Sequence, residues 1–132
     1  MKKVIFFGRE ISVLYQYENK TSSGYESSGK NKVWKFFGDK TIHPKYKGDV
    51  KYGKPNGQGT ITYLVGTMYV GSWKNGEWYG QGTYYSSCGE KLVGRFKGGI
   101  PWNTTGFDQD QNLIGIHVKG MERNITSPLK PT

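Results

Sequence analysis

The sequence predicts an all-β fold, an elongated and twisted antiparallel meander of stacked β-hairpins with little or no helix. Three observations predict it. Similar segments begin at Tyr46, Tyr69 and Leu92, a period of 23 residues that is typical of stacked repeat proteins. Apolar residues make up only 34% of the 132-residue chain, which is low for a thick closed core. Aromatic residues reach 15% and glycine occurs 20 times, which suits a thin sheet with large rings lying over bare backbone.

Each repeat is predicted to be one hairpin, and the unit that begins at Tyr69 shows this most clearly. Its first segment alternates as a strand does, so that Tyr69, Gly71 and Trp73 share one face. Asn75-Gly76 then reverses the chain, because both residues tolerate positive φ. A second extended segment follows, and residues 86–90 turn the chain into the next unit.

Glycines within the second strand of this unit require a cover. Gly80 and Gly82 would be costly inside a strand unless a neighbouring side chain shields them. We expect the rings of Tyr69 and Trp73 on the adjacent strand to provide this cover. A groove that stacks on sugars, bases or a partner strand is the alternative role for the regular aromatic set, which comprises Tyr46, Tyr69, Trp73, Tyr84 and Phe96.

The period divides the chain into units. The predicted repeats and the segments after them are 46–68, 69–91, 92–112, a partial unit at 113–120 and a tail at 121–132. The first unit is expected to turn at 54–57. Residues 1–45 are predicted to continue the sheet as degenerate hairpins with a flexible loop near 20–31. A separate small domain is the alternative for this region.

The repeat also carries a specific resemblance. The pattern Tyr-x-Gly-x-Trp-x-x-Gly followed by Gly-x-Gly, which runs from Tyr69 to Gly82, resembles the MORN (membrane occupation and recognition nexus) repeat. Pro101-Trp102-Asn103 and the closing Gly120 resemble the end of small bacterial MORN proteins. The resemblance covers residues 46–99 most closely. It implies an elongated meander of hairpins that binds lipids or proteins and is not an enzyme.

Basic residues predict a second feature. The chain has a formal net charge of +9, which attracts anionic partners. Strand alternation places one basic set on the face opposite the rings, where it would form a stripe. The stripe could hold anionic headgroups at ~1 kcal/mol for each residue, while a solvated sheet face is the alternative. The candidate anion- or lipid-binding residues are Lys47, Lys51, Lys74, Arg95 and Lys97.

Three aromatic residues fall outside the regular ring pattern. Trp78, Tyr79 and Trp102 are therefore candidates for exposed contacts with a partner, since Trp and Tyr often anchor interfaces.

No catalytic, cofactor or metal site is predicted, and the protein is expected not to be an enzyme. His43 and His117 lie far apart in sequence, and neither belongs to a metal-ligand or nucleophile arrangement. Asp108 and Asp110 are far short of a calcium-loop pattern, so a plain turn is expected there. The single Cys88 excludes an internal disulfide and is compatible with a reducing compartment.

The predicted function is a non-catalytic repeat scaffold that binds a partner protein or self-associates. Two alternatives stay open: binding of anionic phospholipid at a membrane surface through the basic face, and an antitoxin or immunity role in which the sheet binds a toxin. Nucleic-acid binding is disfavoured, because most rings that could stack on bases are expected to be occupied. The apolar run at residues 4–7 is too short for a signal sequence or a membrane span. We therefore expect a location in the cytoplasm or at the periphery of a membrane.

Overall fold

A computed structural model describes residues 3–6, 9–17, 20–21, 24–25 and 32–124. Within these ranges every regular element is a β-strand, and there is no helix. The all-β prediction is confirmed.

Thirteen strands are described. They are β1 (Lys3–Phe6), β2 (Arg9–Tyr17), β3 (Lys20–Thr21), β4 (Gly24–Tyr25), β5 (Val33–Lys35), β6 (Lys45–Lys51), β7 (Lys54–Thr62), β8 (Met68–Lys74), β9 (Glu77–Tyr85), β10 (Lys91–Lys97), β11 (Ile100–Phe107), β12 (Leu113–Val118) and β13 (Met121–Asn124). Eleven of them form one antiparallel sheet, while β3 and β4 pair only with each other. The main path of the sheet runs β1-β2-β6-β7-β8-β9-β10-β11-β12-β13 and does not close. From β6 onward each strand pairs with its neighbours in sequence, which is the predicted meander.

Two-residue turns join the paired strands at one end of the hairpins. Both positions of each turn have positive φ, as hairpin turns that match the twist of the strands require. The turns are Tyr52-Gly53, Asn75-Gly76, Gly98-Gly99 and Lys119-Gly120. The prediction at Asn75-Gly76 is confirmed.

Two predicted boundaries are wrong. The first unit turns at Tyr52-Gly53 and not at 54–57, because Gly53 already supplies the positive φ and Lys54 begins β7. Residues 121–124, predicted as part of a tail, form β13, because the turn at 119–120 returns the chain to pair with β12. The rest of that predicted tail, residues 125–132, lies outside the described residues.

The N-terminal region extends the sheet. Leu14 of β2 is paired with Tyr46 of β6, so β2 continues the meander at its first edge. Both β1 and β5 pair with β2 on the side away from β6. Most of the loop predicted near 20–31 lies outside the described residues.

The core lies on one face of the sheet, which we call the ring face. Tyr69 is fully buried at its centre, where its ring stacks on Trp78 with the centroids 4.6 Å apart. Trp73 and Phe96 make edge-to-face contacts with Tyr69 at 5.4 Å and 5.1 Å. Such contacts add to the hydrophobic stabilisation from burial. The buried apolar side chains are Leu14, Tyr46, Ile61, Tyr69, Trp73 and Phe96.

Tyrosine rings cover strand glycines, as predicted for Tyr69 and Gly82. A Cβ atom on Gly82 would lie only 2.6 Å from Cε1 and Cζ of Tyr69. Tyr46 covers Gly59 of β7 in the same way. The Tyr69 hydroxyl donates a hydrogen bond to the Ser72 carbonyl at 2.8 Å, which satisfies its polar end.

The predicted cover of Gly80 by Trp73 is wrong. The register between β8 and β9 shifts before Trp73, so its partner on β9 is Trp78 and not a glycine. Gly80 therefore lies beside Ser72. The Trp73 indole contacts the other neighbouring strand, where its Nε1–H donates to the Gly59 carbonyl at 3.0 Å.

Candidate binding surfaces

The face opposite the rings, which we call the outer face, carries a row of β-branched side chains. Strand register aligns the row directly from β2 to β12, and seven of its eight members are valine, isoleucine or threonine. Lys47 is its single charged residue. We call this set the central row; it comprises Val13, Lys47, Thr60, Val70, Thr83, Val93, Thr105 and Ile116.

The five basic residues predicted as a stripe are all exposed, but they lie at three different levels of the sheet. Lys47 belongs to the central row. Arg95 lies one level away, between Gln81 and Asn103 on the neighbouring strands. The other three basic residues lie at the level of the two-residue turns.

Those three lysines form a regular row with aromatic partners. Lys51, Lys74 and Lys97 are the last residues of β6, β8 and β10. They lie two strands apart, a spacing of about 10 Å. Each ammonium nitrogen is close to a ring centroid: Lys51 to Tyr52 at 5.5 Å, Lys74 to Tyr79 at 4.9 Å and Lys97 to Trp102 at 4.8 Å. These distances fall within the range of cation–π attraction. We call the six residues the lysine–aromatic edge.

Tyr52 is the member of this edge that the sequence reasoning missed. Its side chain is 91% exposed and its φ is 53°, an unfavourable value for a bulky residue. The signal that could have identified it is the period of 23, which aligns Tyr52-Gly53 with Asn75-Gly76.

The three aromatic residues predicted as exposed contacts have different surroundings. Tyr79 is exposed, and Trp102 is half-buried against the turn at Gly120. The expectation of exposure is wrong for Trp78, which packs against the core. Because of the register shift between β8 and β9, Trp78 is the cross-strand partner of Trp73 and lies on the ring face with it.

A cleft of about 380 Å³ crosses the ring face. Its lining includes the aromatic residues Trp73, Trp78, Tyr63 and Tyr84, and Glu77 lines it as well. Burial raises the pKa of Tyr63 above its usual range, and a hydrogen bond with the Trp78 side chain opposes this rise. Tyr63 is therefore neutral under ordinary conditions.

The histidines have separate local partners. The Asp39 amide donates to Nδ1 of His43 at 3.1 Å, and the His43 ring lies 3.9 Å from the ring of Tyr17. Nδ1 of His117 lies 3.1 Å from the Thr104 hydroxyl. Within the described part of the chain, no group of three or more His, Cys, Asp or Glu side chains could hold a metal ion.

Asp108 organises a turn. The backbone N–H groups of Asn112 and Asp110 each donate to its Oδ1 at 2.9 Å. These bonds, with the Asn112 amide first, hold the pKa of Asp108 below its usual range. The arrangement is the plain turn that the sequence predicted.

Comparison with models of known protein families finds no match, and comparison with curated proteins finds none either. The MORN resemblance stays a prediction that rests on the repeat residues.

The described residues include no helix of the length and apolarity that a membrane crossing needs.

Proposed function

We propose that the protein is a non-catalytic binding scaffold whose outer face binds a partner protein or a second copy of the chain. The central row is the observation that supports this proposal. It runs across eight strands, roughly 34 Å at the usual strand spacing. A sheet face that meets only water is commonly polar, whereas extended apolar surface marks interaction sites. The row offers a mostly uncharged surface that includes three threonine hydroxyl groups.

Substitution within the central row tests this function. Val70→Lys and Val93→Lys would place ammonium groups where a partner must remove water, and Thr62→Lys is the matched control on the same face outside the row. In sedimentation velocity and in cross-linking with mass spectrometry, we expect complexes to weaken in both valine variants and to persist in the control. Equal complex formation by all four proteins would contradict the proposal.

A second candidate function is binding to an anionic membrane surface, and the lysine–aromatic edge favours it. Lysine near an anionic surface contributes about 1 kcal/mol, so three lysines would contribute about 3 kcal/mol, a change of roughly 100-fold in affinity. Tyrosine and tryptophan are enriched at the level of lipid headgroups. Three lysines beside three aromatic rings on one edge combine both properties.

Vesicle binding separates this function from general charge attraction. The test variant carries Lys51→Gln, Lys74→Gln and Lys97→Gln. The control carries Lys40→Gln, Lys45→Gln and Lys47→Gln, which removes the same number of exposed charges elsewhere. With phosphatidylserine-containing vesicles at low salt, we expect a large loss of binding only in the first variant, and weak binding of either protein at high salt. An equal loss in both variants would show that only net charge matters.

A further inference from the structure

One residue that lines the cleft on the ring face, Glu77, has a carboxylate in an unusual environment. Glu77 is the first residue of β9, directly after the turn Asn75-Gly76. Its Oε2 is enclosed and has no hydrogen-bond partner among the described residues. A buried polar atom left without a partner costs about 1–3 kcal/mol, and more if it is charged. A lysine on the neighbouring strand does not offset this cost.

That lysine is Lys74, the residue paired with Glu77 across the hairpin. Its ammonium nitrogen lies 4.9 Å from the ring centroid of Tyr79, and no ion pair between Lys74 and Glu77 is among the described contacts. Glu77 instead lines the cleft.

Aromatic rings line the cleft beside Glu77. Trp78 lies next to it in the chain, with its ring centroid 5.4 Å from that of Tyr84 and 6.3 Å from that of Tyr63. Trp73, the cross-strand partner of Trp78, contributes to the wall as well. Ring faces carry negative potential and attract cations, so the rings and the carboxylate favour the same kind of ligand.

Positive charges on the protein disfavour the binding of a cationic ligand to the cleft. Lys32 also lines the cleft. The net charge of +9 opposes the approach of any cation. At physiological salt, however, exposed charges farther than about 8 Å are largely screened, so the groups within the cleft dominate.

We propose that this cleft binds an organic cation, an ammonium or guanidinium group attached to hydrocarbon, such as the side chain of a lysine or arginine on a polypeptide. The volume of about 380 Å³ is adequate for such a group. The hydrocarbon packs against the rings of Trp73, Trp78 and Tyr84. The Glu77 carboxylate turns about its soft terminal torsion to meet the charge. This site is independent of the outer face and of the lysine–aromatic edge.

Titration with small probes tests the site. Choline, its neutral isostere 3,3-dimethyl-1-butanol and N-acetyl-arginine amide are added at constant ionic strength while tryptophan fluorescence is recorded. We expect saturable binding of both cations, and binding of the neutral isostere at least about tenfold weaker. A short peptide with a single arginine distinguishes a polypeptide side chain from a free cation, since it should bind more tightly than the amide if the chain around the arginine adds contacts.

Variants assign the effect to Glu77. Glu77→Gln should weaken choline binding at least about tenfold. Glu90→Gln, an exposed glutamate in a turn, is the control and should bind as the unchanged protein does. Equal binding of choline and its neutral isostere, unchanged binding by Glu77→Gln, or no saturable signal with any probe would each overturn the proposal.

Discussion

Replacing Gly82 by alanine tests how closely the rings pack over bare backbone. The added methyl group would lie 2.6 Å from Cε1 and Cζ of Tyr69, much closer than carbon atoms approach in proteins. The Tyr69 ring is held in place, because it is fully buried, stacks on Trp78 and contacts Trp73 and Phe96 edge-on. The methyl group can therefore be accommodated only by moving this ring or by separating β8 from β9.

The expected cost follows from the contacts of Tyr69. Moving the ring weakens the hydroxyl hydrogen bond to Ser72, which contributes about 1 kcal/mol, and aromatic contacts that contribute about 0.5–1.5 kcal/mol each. Alanine offsets about 0.4–1 kcal/mol by restricting the unfolded chain. We expect Gly82→Ala to lower the free energy of unfolding by about 2–3 kcal/mol, within the upper range for overpacked cores. The melting temperature should fall by roughly 6–12 °C.

Urea unfolding and thermal melting measure this change against two references. Gly106→Ala is the matched control. A Cβ atom there would have its one tight contact with the flexible end of Leu92 at 3.1 Å, while Gly115 O at 3.5 Å and Ile114 Cγ1 at 3.6 Å are at ordinary distances. Its effect should stay below about 1 kcal/mol. Adding Tyr69→Leu to Gly82→Ala removes the clash, so the two substitutions should be non-additive by at least about 1 kcal/mol. Equal effects of the two alanine variants, or simple additivity in the double variant, would refute the packing argument.

Three further predictions concern single interactions. Trp73→Phe removes the hydrogen bond to the Gly59 carbonyl and should lower the free energy of unfolding in urea by about 1–3 kcal/mol; no change would show that water replaces the indole. Tyr52→Asn should raise that free energy by about 0.5–1 kcal/mol, because asparagine adopts positive φ more readily, and a loss of stability would contradict this. The lowered pKa of Asp108 means that its contribution to stability is present above about pH 4 and is lost as pH falls through the folded-state pKa. Asp108→Asn should therefore reduce the difference in melting temperature between neutral and acidic pH, and an unchanged difference would assign the acid sensitivity to other groups.

The hairpins could be predicted from the sequence because their signals are local. Alternation assigned Tyr69 and Trp73 to one face, and Asn75-Gly76 identified a turn whose two residues both favour positive φ. The first turn was misplaced because Pro55 and the residues beside it form a strong turn signal. In the structure Pro55 is instead buried within β7.

The candidate surfaces depend on information that is not local. Alternation assigns a residue to a face, but its level on that face depends on which residue of the neighbouring strand it meets. Lys47 and Lys51 therefore appeared to belong to one stripe, although the register separates them. The inward position of Trp78 depends on a register shift between β8 and β9, and no short sequence pattern marked that shift. The environment of Glu77 could not be predicted from the sequence, because the other residues that line its cleft come from several separate segments.

Lys51, Lys74 and Lys97 occur once in each hairpin, on every second strand. One more hairpin of the same kind would add one lysine and about 10 Å to the sheet. Loss of a hairpin would remove one lysine and the same length. The length of the lysine–aromatic edge is thus counted in whole hairpins, so duplication or loss of a unit changes that length without altering the contacts within any other hairpin.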